Sequence, residues 1–411
     1  MQLRRILIEP TESLIYLERF VNDGSPSGFT HKYTTTKEYD PFKGVACFRL
    51  PLVHIPYSQI KLYGKVPSDY EAVFFDLEGN ITFPFHPDCF KNNYEVLRNY
   101  QISESLFYVC PTSSGRTVCV KQEERLFFLK LHYDRILCRA KRNLPFRKAV
   151  AGVEISDILK EYIKDGFFQD SFSIFLESFS INAFLNKLDF GFVFREGNPF
   201  QYKTGFLPII PFFSLTGNDI KNPSDDLLLI QILLNFNNKK EVLFERIIYP
   251  ILSFYIVMIK KLGLIPELNA QNILLELNEN AEPSRVIIRD HMRTEKDITL
   301  RKELGLSTNF VAHDYKIVDR NINEKLYFIR HSFHYDFKLC KYVIEPLLKV
   351  YSNAFDEDLE KLIELTKERF VSEMGDLRFN YFKPYEKWFS HPKIQFEGER
   401  PYIAHSKPKY R

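Results

Sequence analysis

The chain changes character once, near Asn222-Pro223, and that change constrains its architecture more than any other feature. Between about residues 96 and 215, short aromatic and β-branched runs dominate, among them Leu106–Val109 and Phe190–Phe194, with some helix. Short runs of this kind, bounded by turn residues, read as strands. Beyond Pro223 the apolar residues spread into longer stretches. Ser224 reads as the N-cap of a helix over Asp225–Asn235, with two aspartates in its first turn. A second helix is expected from about Lys240, bending at Pro250 and stopping at Gly263. The rest to about Tyr381 reads as mostly helical, and the terminal KPKYR as frayed. The first 95 residues form a small mixed region, with turn signals such as Asp23-Gly24-Ser25-Pro26 between short apolar runs. The expectation is an α+β chain in three parts, 1–95, 96–220 and 221–411.

Composition narrows the function classes. At 45% hydrophobic and 27% charged residues the chain is an ordinary globular one, and disorder is excluded. Lys+Arg 56 against Asp+Glu 53 leaves +3, and no clustered aromatic-and-basic stripe stands out, so nucleic acid is not an expected partner. Glu9, Glu12 and Glu18 interrupt the apolar runs that a signal peptide needs, which predicts a cytoplasmic protein. The longest apolar stretch, Tyr249 to Ile259, is far short of the roughly 20 residues that span a bilayer, so it is expected to be a buried helix and no membrane is expected. Six cysteines occur without a CxxC pair, which predicts reduced structural thiols and excludes metal–thiolate chemistry.

Two candidate hairpins gather the chemistry. In the first, Thr117–Val120 and Arg125–His132 are strands around a turn at Lys121–Glu124. A turn centred between residues 122 and 123 places Gly115 opposite Lys130, so Pro111–Thr117 lies beside an ammonium. Hydroxyls, a glycine, Arg116 and Lys130 make a set of donors with no carboxylate, suited to an anion. A surface turn with an incidental arginine has the same composition. A helix is expected next, with Arg135, Arg139 and Arg142 on one face and Cys138 one turn before Arg142. A solvated basic face is the alternative. In the second hairpin, Asn272–Leu277 and Ser284–Arg289 are strands with the turn centre between 280 and 281. That register sets Gln271 opposite Asp290 and converges Glu267, Asn269, Gln271, Asn272 and Asp290 at one end. Two carboxylates and three carboxamides suit Mg²⁺, which takes one or two carboxylates plus phosphate oxygens; polar loop ends look alike. Together the two sets suggest nucleotide chemistry. Neither G-x-x-x-x-G-K-[ST] nor G-x-G-x-x-G is present, and His331-x-x-His334 lacks the spacing of a zincin and reads as structural.

These segments together resemble the NRPS-independent siderophore synthetases of the aerobactin-synthetase, or IucA/IucC, type. The family's ATP-loop pattern Pro-x-Ser-Ser-x-Arg-Thr stands here as Pro111-Thr112-Ser113-Ser114-Gly115-Arg116-Thr117. Its Lys-Leu, arginine and proline are similar to Lys130-Leu131, Arg142 and Pro145, and its Arg-Glu-Asn-Pro to Arg195-Glu196-Gly197-Asn198-Pro199 with one glycine inserted. Its C-terminal signature Gly-Ile-x-x-Glu-x-His-x-Gln-Asn resembles Gly263–Asn272, and its Arg-Asp resembles Arg289-Asp290. The five matches are in order and cover roughly residues 80 to 380.

The resemblance implies a cupped-hand fold with a thumb, β-rich fingers and a mainly helical palm, and ATP between fingers and palm. It implies an ATP- and Mg²⁺-dependent ligase that adenylates a small, citrate-like carboxylic acid and passes the acyl group to an amine or alcohol. Carried over by position, Ser113, Ser114, Arg116, Thr117 and Lys130 would hold the phosphates, with Asn269, Gln271 and Asn272 on the nucleotide. Lys130 and Arg142 would act on the reacting groups, and Glu267 and Asp290 would bind Mg²⁺. Arg142, Cys138 and His86 would line the acid site. A homodimer is common in the family. Three departures stand out. The chain is shorter than typical members, mostly before Cys110, so the thumb would be reduced. His86-Pro87 is one residue out of step with the family's His-Pro motif. The signature histidine is Asn269, and a threonine near the substrate is Cys138. A non-catalytic nucleotide-binding relative, or a partner of a full-length synthetase, is the alternative that these departures motivate.

Overall fold

The computed structural model describes residues 1–25, 36–76, 78–122, 125–137, 140–166, 171–201, 208–391 and 401–411. The aromatic runs form an antiparallel eight-stranded sheet. Its strands lie in the order Ile60–Gly64, Glu177–Leu185, Leu188–Glu196, Arg125–Leu131, Thr117–Gln122, Gln101–Pro111, Phe48–Pro56 and Asn80–Pro84. Residues on both sides of position 95 thus contribute to one sheet. One face buries Phe83, Phe127, Phe179, Phe192 and Phe194 with Phe74 from a short helix. Offset and edge-on ring pairs, such as Phe179 on Phe194 at 4.8 Å, fill this layer. The long helix Phe146–Lys164 packs against the strands 177–185 and 188–196. It comes close because position 152 has no side chain; a Cβ there would lie 2.2 Å from Glu177 Oε2.

The second half is mainly helical, as expected. Lys239–Leu243, a widened π turn over Phe244–Ile248 and Tyr249–Leu262 make one continuous helix. The π turn lies just ahead of Pro250, whose missing N–H leaves the ladder one donor short. Gly263 ends the helix in the left-handed conformation at φ +57°, its N–H donating to Ile259 O at 3.1 Å. By length and composition Lys239–Leu262 could cross a membrane, yet most of it is buried in the large helical core. The preceding helix begins at Leu228 rather than Asp225, so the two aspartates lie before its first turn.

A four-stranded sheet links the halves, in the order Phe172–Ile174, Pro283–Ile288, Ile273–Leu277 and Ile209–Pro211. Its central hairpin has the expected register: Ile273 pairs with Ile288, and Arg289 N–H donates to Asn272 O at 2.9 Å. The chain leaves this sheet at Ile174 and enters the large one at Glu177. That short crossing brings the Arg289-Asp290 end beside the strand carrying Lys130.

Four expectations are corrected. The first hairpin pairs Thr117, not Gly115, with Lys130. The segment after His132 is a hairpin, Tyr133–Leu137 with Ala140–Arg142, and not a helix; Cys138 and Arg139 lie outside the described residues. Evenly spaced arginines do not make an apolar stripe, and Tyr133 and Leu137 are buried from a strand instead. The C-terminal tail is docked: Ile403–Ser406 pairs with Lys387–Ser390, and buried Arg411 donates from Nε to Asp336 at 2.9 Å. Cys47 and Cys110 form a disulfide, because the pairing of Phe48 with Val109 sets them opposite each other. Cys89, Cys119 and Cys340 are free and buried, as expected. His331 and His334 are structural: each is buried against a carboxylate, Asp297 at 3.0 Å and Glu295 at 3.2 Å.

Candidate functional site

The loop 111–117 closes on itself. Thr112 N–H and Oγ1 both donate to Thr117 O, Gly115 N–H donates to Thr112 O, and Thr117 N–H donates to Ser114 Oγ at 2.9 Å. Gly115 has φ +73°, a left-handed backbone that glycine adopts without strain. The loop is therefore a preformed turn that aims Arg116 inward. Arg116 is buried and donates to Arg142 O at 2.6 Å. Among the described residues no carboxylate makes an ion pair with it. Burial, followed by repulsion from Arg142, pulls its pKa from 12.5 to about 9.

Lys130 reaches the end of the second hairpin. Its buried ammonium pairs with Asp290, which takes a left-handed conformation at the end of the second hairpin. Burial brings Lys130 down to about 8, while Asp290 and Glu177 oppose the shift. The cations Lys130, Arg195 and Arg116 hold Asp290 below the usual carboxylate range despite its burial. The pair is charged on both sides at neutral pH. A second bridge runs from Gln271 Nε2 to Ser113 Oγ at 3.0 Å. The two sequence sets, predicted separately, thus meet across the gap between the sheets.

One expected feature of the loop is different. A carboxylate does stand beside it: Ser113 donates from N–H and Oγ to Glu18 Oε2 at 3.1 and 2.6 Å. Because the Gly115 N–H is used within the turn, the loop donors left for an anion are the side chains of Ser114, Arg116 and Thr117. Nothing local in the sequence marks Glu18, which lies 95 residues before the loop.

The oxygen-rich set is partly assembled. Asn269 Oδ1 accepts from Gln271 N–H at 3.0 Å and its carbonyl from Asn272 N–H at 2.9 Å, so Asn269 builds the turn that presents both neighbours. Asn272 Nδ2 donates to Glu267 O. Glu267 is buried against Lys338 at 2.8 Å and Arg293 at 3.4 Å, and these cations hold its carboxyl well below the ordinary range in spite of burial. Among the described residues no three His, Cys, Asp or Glu are grouped to hold a metal. Both carboxylates face cations, Asp290 Lys130 and Glu267 Lys338 and Arg293, so a Mg²⁺ ion brought in on phosphate oxygens would displace such a partner; Asp290 is the less buried of the two.

Further cations escaped sequence reasoning. Lys148, in the first turn of the helix 146–164, donates to Asn143 Oδ1 at 2.8 Å. Burial and repulsion from Arg116, Arg293, Arg147 and Arg142 pull it from 10.5 to about 8. Leu144 and Ala149 pack with Met292 and Tyr315, which holds Lys148 and Arg293 on the same side of the cleft. Lys130, Arg116, Arg142, Lys148 and Arg293 thus lie near one another, with Asp290, Glu267 and Glu177 among them. Such a group of cations attracts anions. His86 is buried against Tyr39, Phe48 and Tyr133 and accepts from Asp88 N–H at 3.2 Å. Burial lowers its pKa to about 4, so it is neutral at physiological pH. Its link to the cleft is indirect, through Tyr133, which pairs with Arg142.

No protein-family model matches the chain, and no curated protein matches it in sequence. Solved structures do. The chain is similar to the petrobactin biosynthesis protein AsbB of Bacillus anthracis, with a TM-score of 0.75 and 15% identity over 96% of this chain and 74% of that one. It is similar to ATP-bound aerobactin synthetase IucA of Klebsiella pneumoniae, with a TM-score of 0.67 and 13% identity over 98% and 80% of the two chains. For aerobactin synthetase IucC of the same organism the values are 0.65 and 14% over 84% and 67%. The fold that the ordered motifs led us to expect is the one found: that of the NRPS-independent siderophore synthetases.

Proposed function

We propose that the chain is an ATP-dependent ligase that activates a small polycarboxylic acid as its acyl-adenylate and transfers the acyl group to an amine or hydroxyl. The observation that carries this reading is the meeting of Arg116, Lys130, Arg142, Lys148 and Arg293, close enough to repel one another, where the loop 111–117 is bridged to Gln271 and Asp290. One structural neighbour is an aerobactin synthetase with ATP bound, which supports nucleotide use. The assignment of the loop 111–117 to the fingers, of residues 221–411 to the palm and of residues 1–95 to a reduced thumb belongs to the same reading.

In this account Ser114, Arg116, Thr117 and Lys130 hold the phosphates, and Gln271 and Asn272 orient the nucleotide. Mg²⁺ would neutralise phosphate charge, with Asp290 the carboxylate that reaches it. A carboxylate oxygen of the acid attacks the α-phosphorus and pyrophosphate leaves. The amine or hydroxyl then attacks the acyl carbon; AMP leaves and the nucleophile gives up its proton. Arg142 and buried Arg116 stabilise the charge that spreads at the α-phosphate, a role for which cations already held in place need little reorganisation. Lys148 and Arg293 hold the acid's other carboxylates. Cys138 and His86 are assigned to the acid side on the resemblance alone, His86 by way of Tyr133.

The test is acid-dependent pyrophosphate release across a panel of single carboxylic acids, with hydroxylamine as acceptor. Release is expected with a polycarboxylate, and Lys130→Ala and Arg142→Ala should each lower it by about a hundredfold or more. Wild-type turnover in both variants would end the assignment. A second reading, a nucleotide-binding relative without turnover, is favoured by Asn269, whose side-chain oxygen is used within its own turn. ATP binding with no release across the panel would select it.

A further inference from the structure

We propose that Glu18 is the positioning residue that sets the loop 111–117 against the hairpin end 269–290, so that the N-terminal helix is part of the nucleotide site. The proposal rests on the nucleotide reading given above. Glu18 belongs to the helix Pro10–Phe20, which none of the chemical motifs includes. Four residues make a closed circuit through it. Ser113 donates to Glu18 Oε2, Glu18 Oε1 pairs with Arg289 at 2.5 Å, Arg289 Nε donates to Gln271 O at 2.9 Å, and Gln271 Nε2 returns to Ser113 Oγ at 3.0 Å. Glu18, Ser113 and Arg289 are all buried. A charged circuit out of water holds its geometry tightly, because any opening strands a charge.

Two further observations fix Glu18 in space. One turn earlier, Leu14 packs with Cys119 and Phe128 of the large sheet and with Leu274 and Ile287 of the hairpin, so the helix is a wedge between the two. Arg19, the next residue, donates to the carbonyls of Pro41, Gly44, Val45 and Ala46 at 2.7 to 3.3 Å, which pins the end of the helix. The wedge and the pin leave Glu18 no freedom to follow the loop; the loop must follow Glu18. The carboxylate behind Ser113 also repels phosphate there and favours the side where Arg116 and Lys130 stand.

Three variants test this: Glu18→Gln, Glu18→Gln with Arg289→Met, and Ser113→Ala. The double variant removes the guanidinium that the single one leaves unpaired, and Ser113→Ala opens the circuit without stranding a charge. Amide hydrogen exchange of residues 111–117 and 269–272 reports positioning directly. In all three it should rise by about tenfold or more, while the core strands keep their protection. In the double variant the melting temperature should recover, yet the KM for ATP should stay raised by about tenfold with kcat at saturation little changed. A folded double variant with wild-type exchange and wild-type KM would overturn the proposal. If the unmodified chain binds no ATP, the nucleotide reading fails and the exchange data alone decide whether Glu18 positions the loop.

Discussion

Lys148 shows most plainly what single residues contribute. Its ammonium is held near a pKa of about 8 by burial and by four arginines. Because that value lies below the ordinary 10.5, its charge is present at neutral pH and lost as pH rises through about 8. The KM for the acid should therefore climb between about pH 7 and about pH 9. Lys148→Met should raise that KM at neutral pH by about tenfold, the worth of one charge-assisted hydrogen bond, and flatten the climb. Parallel KM profiles of the two proteins check this. Lys130 and Asp290 give a second prediction. Lys130→Ala leaves the Asp290 carboxylate beside buried strands without its partner and should cost about 3 kcal/mol of stability. Lys130→Met with Asp290→Asn should restore the melting temperature and leave adenylation lost, which separates the structural from the chemical role.

At the level of elements, the two hairpins differ in how far they could be read. The turn of the second contains Asn278, Asn280 and Ala281, and its flanking apolar runs admit one register, so the pairing of Ile273 with Ile288 was legible. Lys121–Glu124 has no glycine, asparagine or proline to mark a turn centre, and the true register is shifted so that Thr117 faces Lys130. The shift keeps the lysine beside the loop, which is why the site survived the error. The spacing of Arg135 and Arg142 suits a helix, but the burial of Tyr133 and Leu137 decides for a hairpin. Glu18, Lys148 and Arg293 were invisible because only the packing of separate segments brings them to the cleft. One element also positions Arg142: the stretch after it crosses the strand 188–196 at Gly191, where a Cβ would lie 2.3 Å from Leu144 O. Backbone cannot yield cheaply there. Gly191→Ala should cost about 1–3 kcal/mol in thermal unfolding and raise the KM for the acid by moving Arg142.

Across the whole molecule, an aromatic core behind the large sheet and a helical core are joined by polar bridges. Lys130 to Asp290, Ser113 to Gln271, Glu18 to Arg289 and Glu154 to Lys296 all cross between segments far apart in sequence. Three of them gather around the loop 111–117 and Lys130, so the same contacts that hold the halves together shape the candidate site. The chain covers 74% of its petrobactin-biosynthesis neighbour, and its own N-terminal helix takes part directly in these bridges. The central claim is activation of an acid as its adenylate, and exchange of labelled pyrophosphate into ATP in the absence of any acceptor tests it most directly. Exchange that requires one polycarboxylic acid, and that disappears in Arg142→Ala, is the predicted result. Formation of ADP and orthophosphate in place of exchange, or exchange indifferent to the acid, would contradict it.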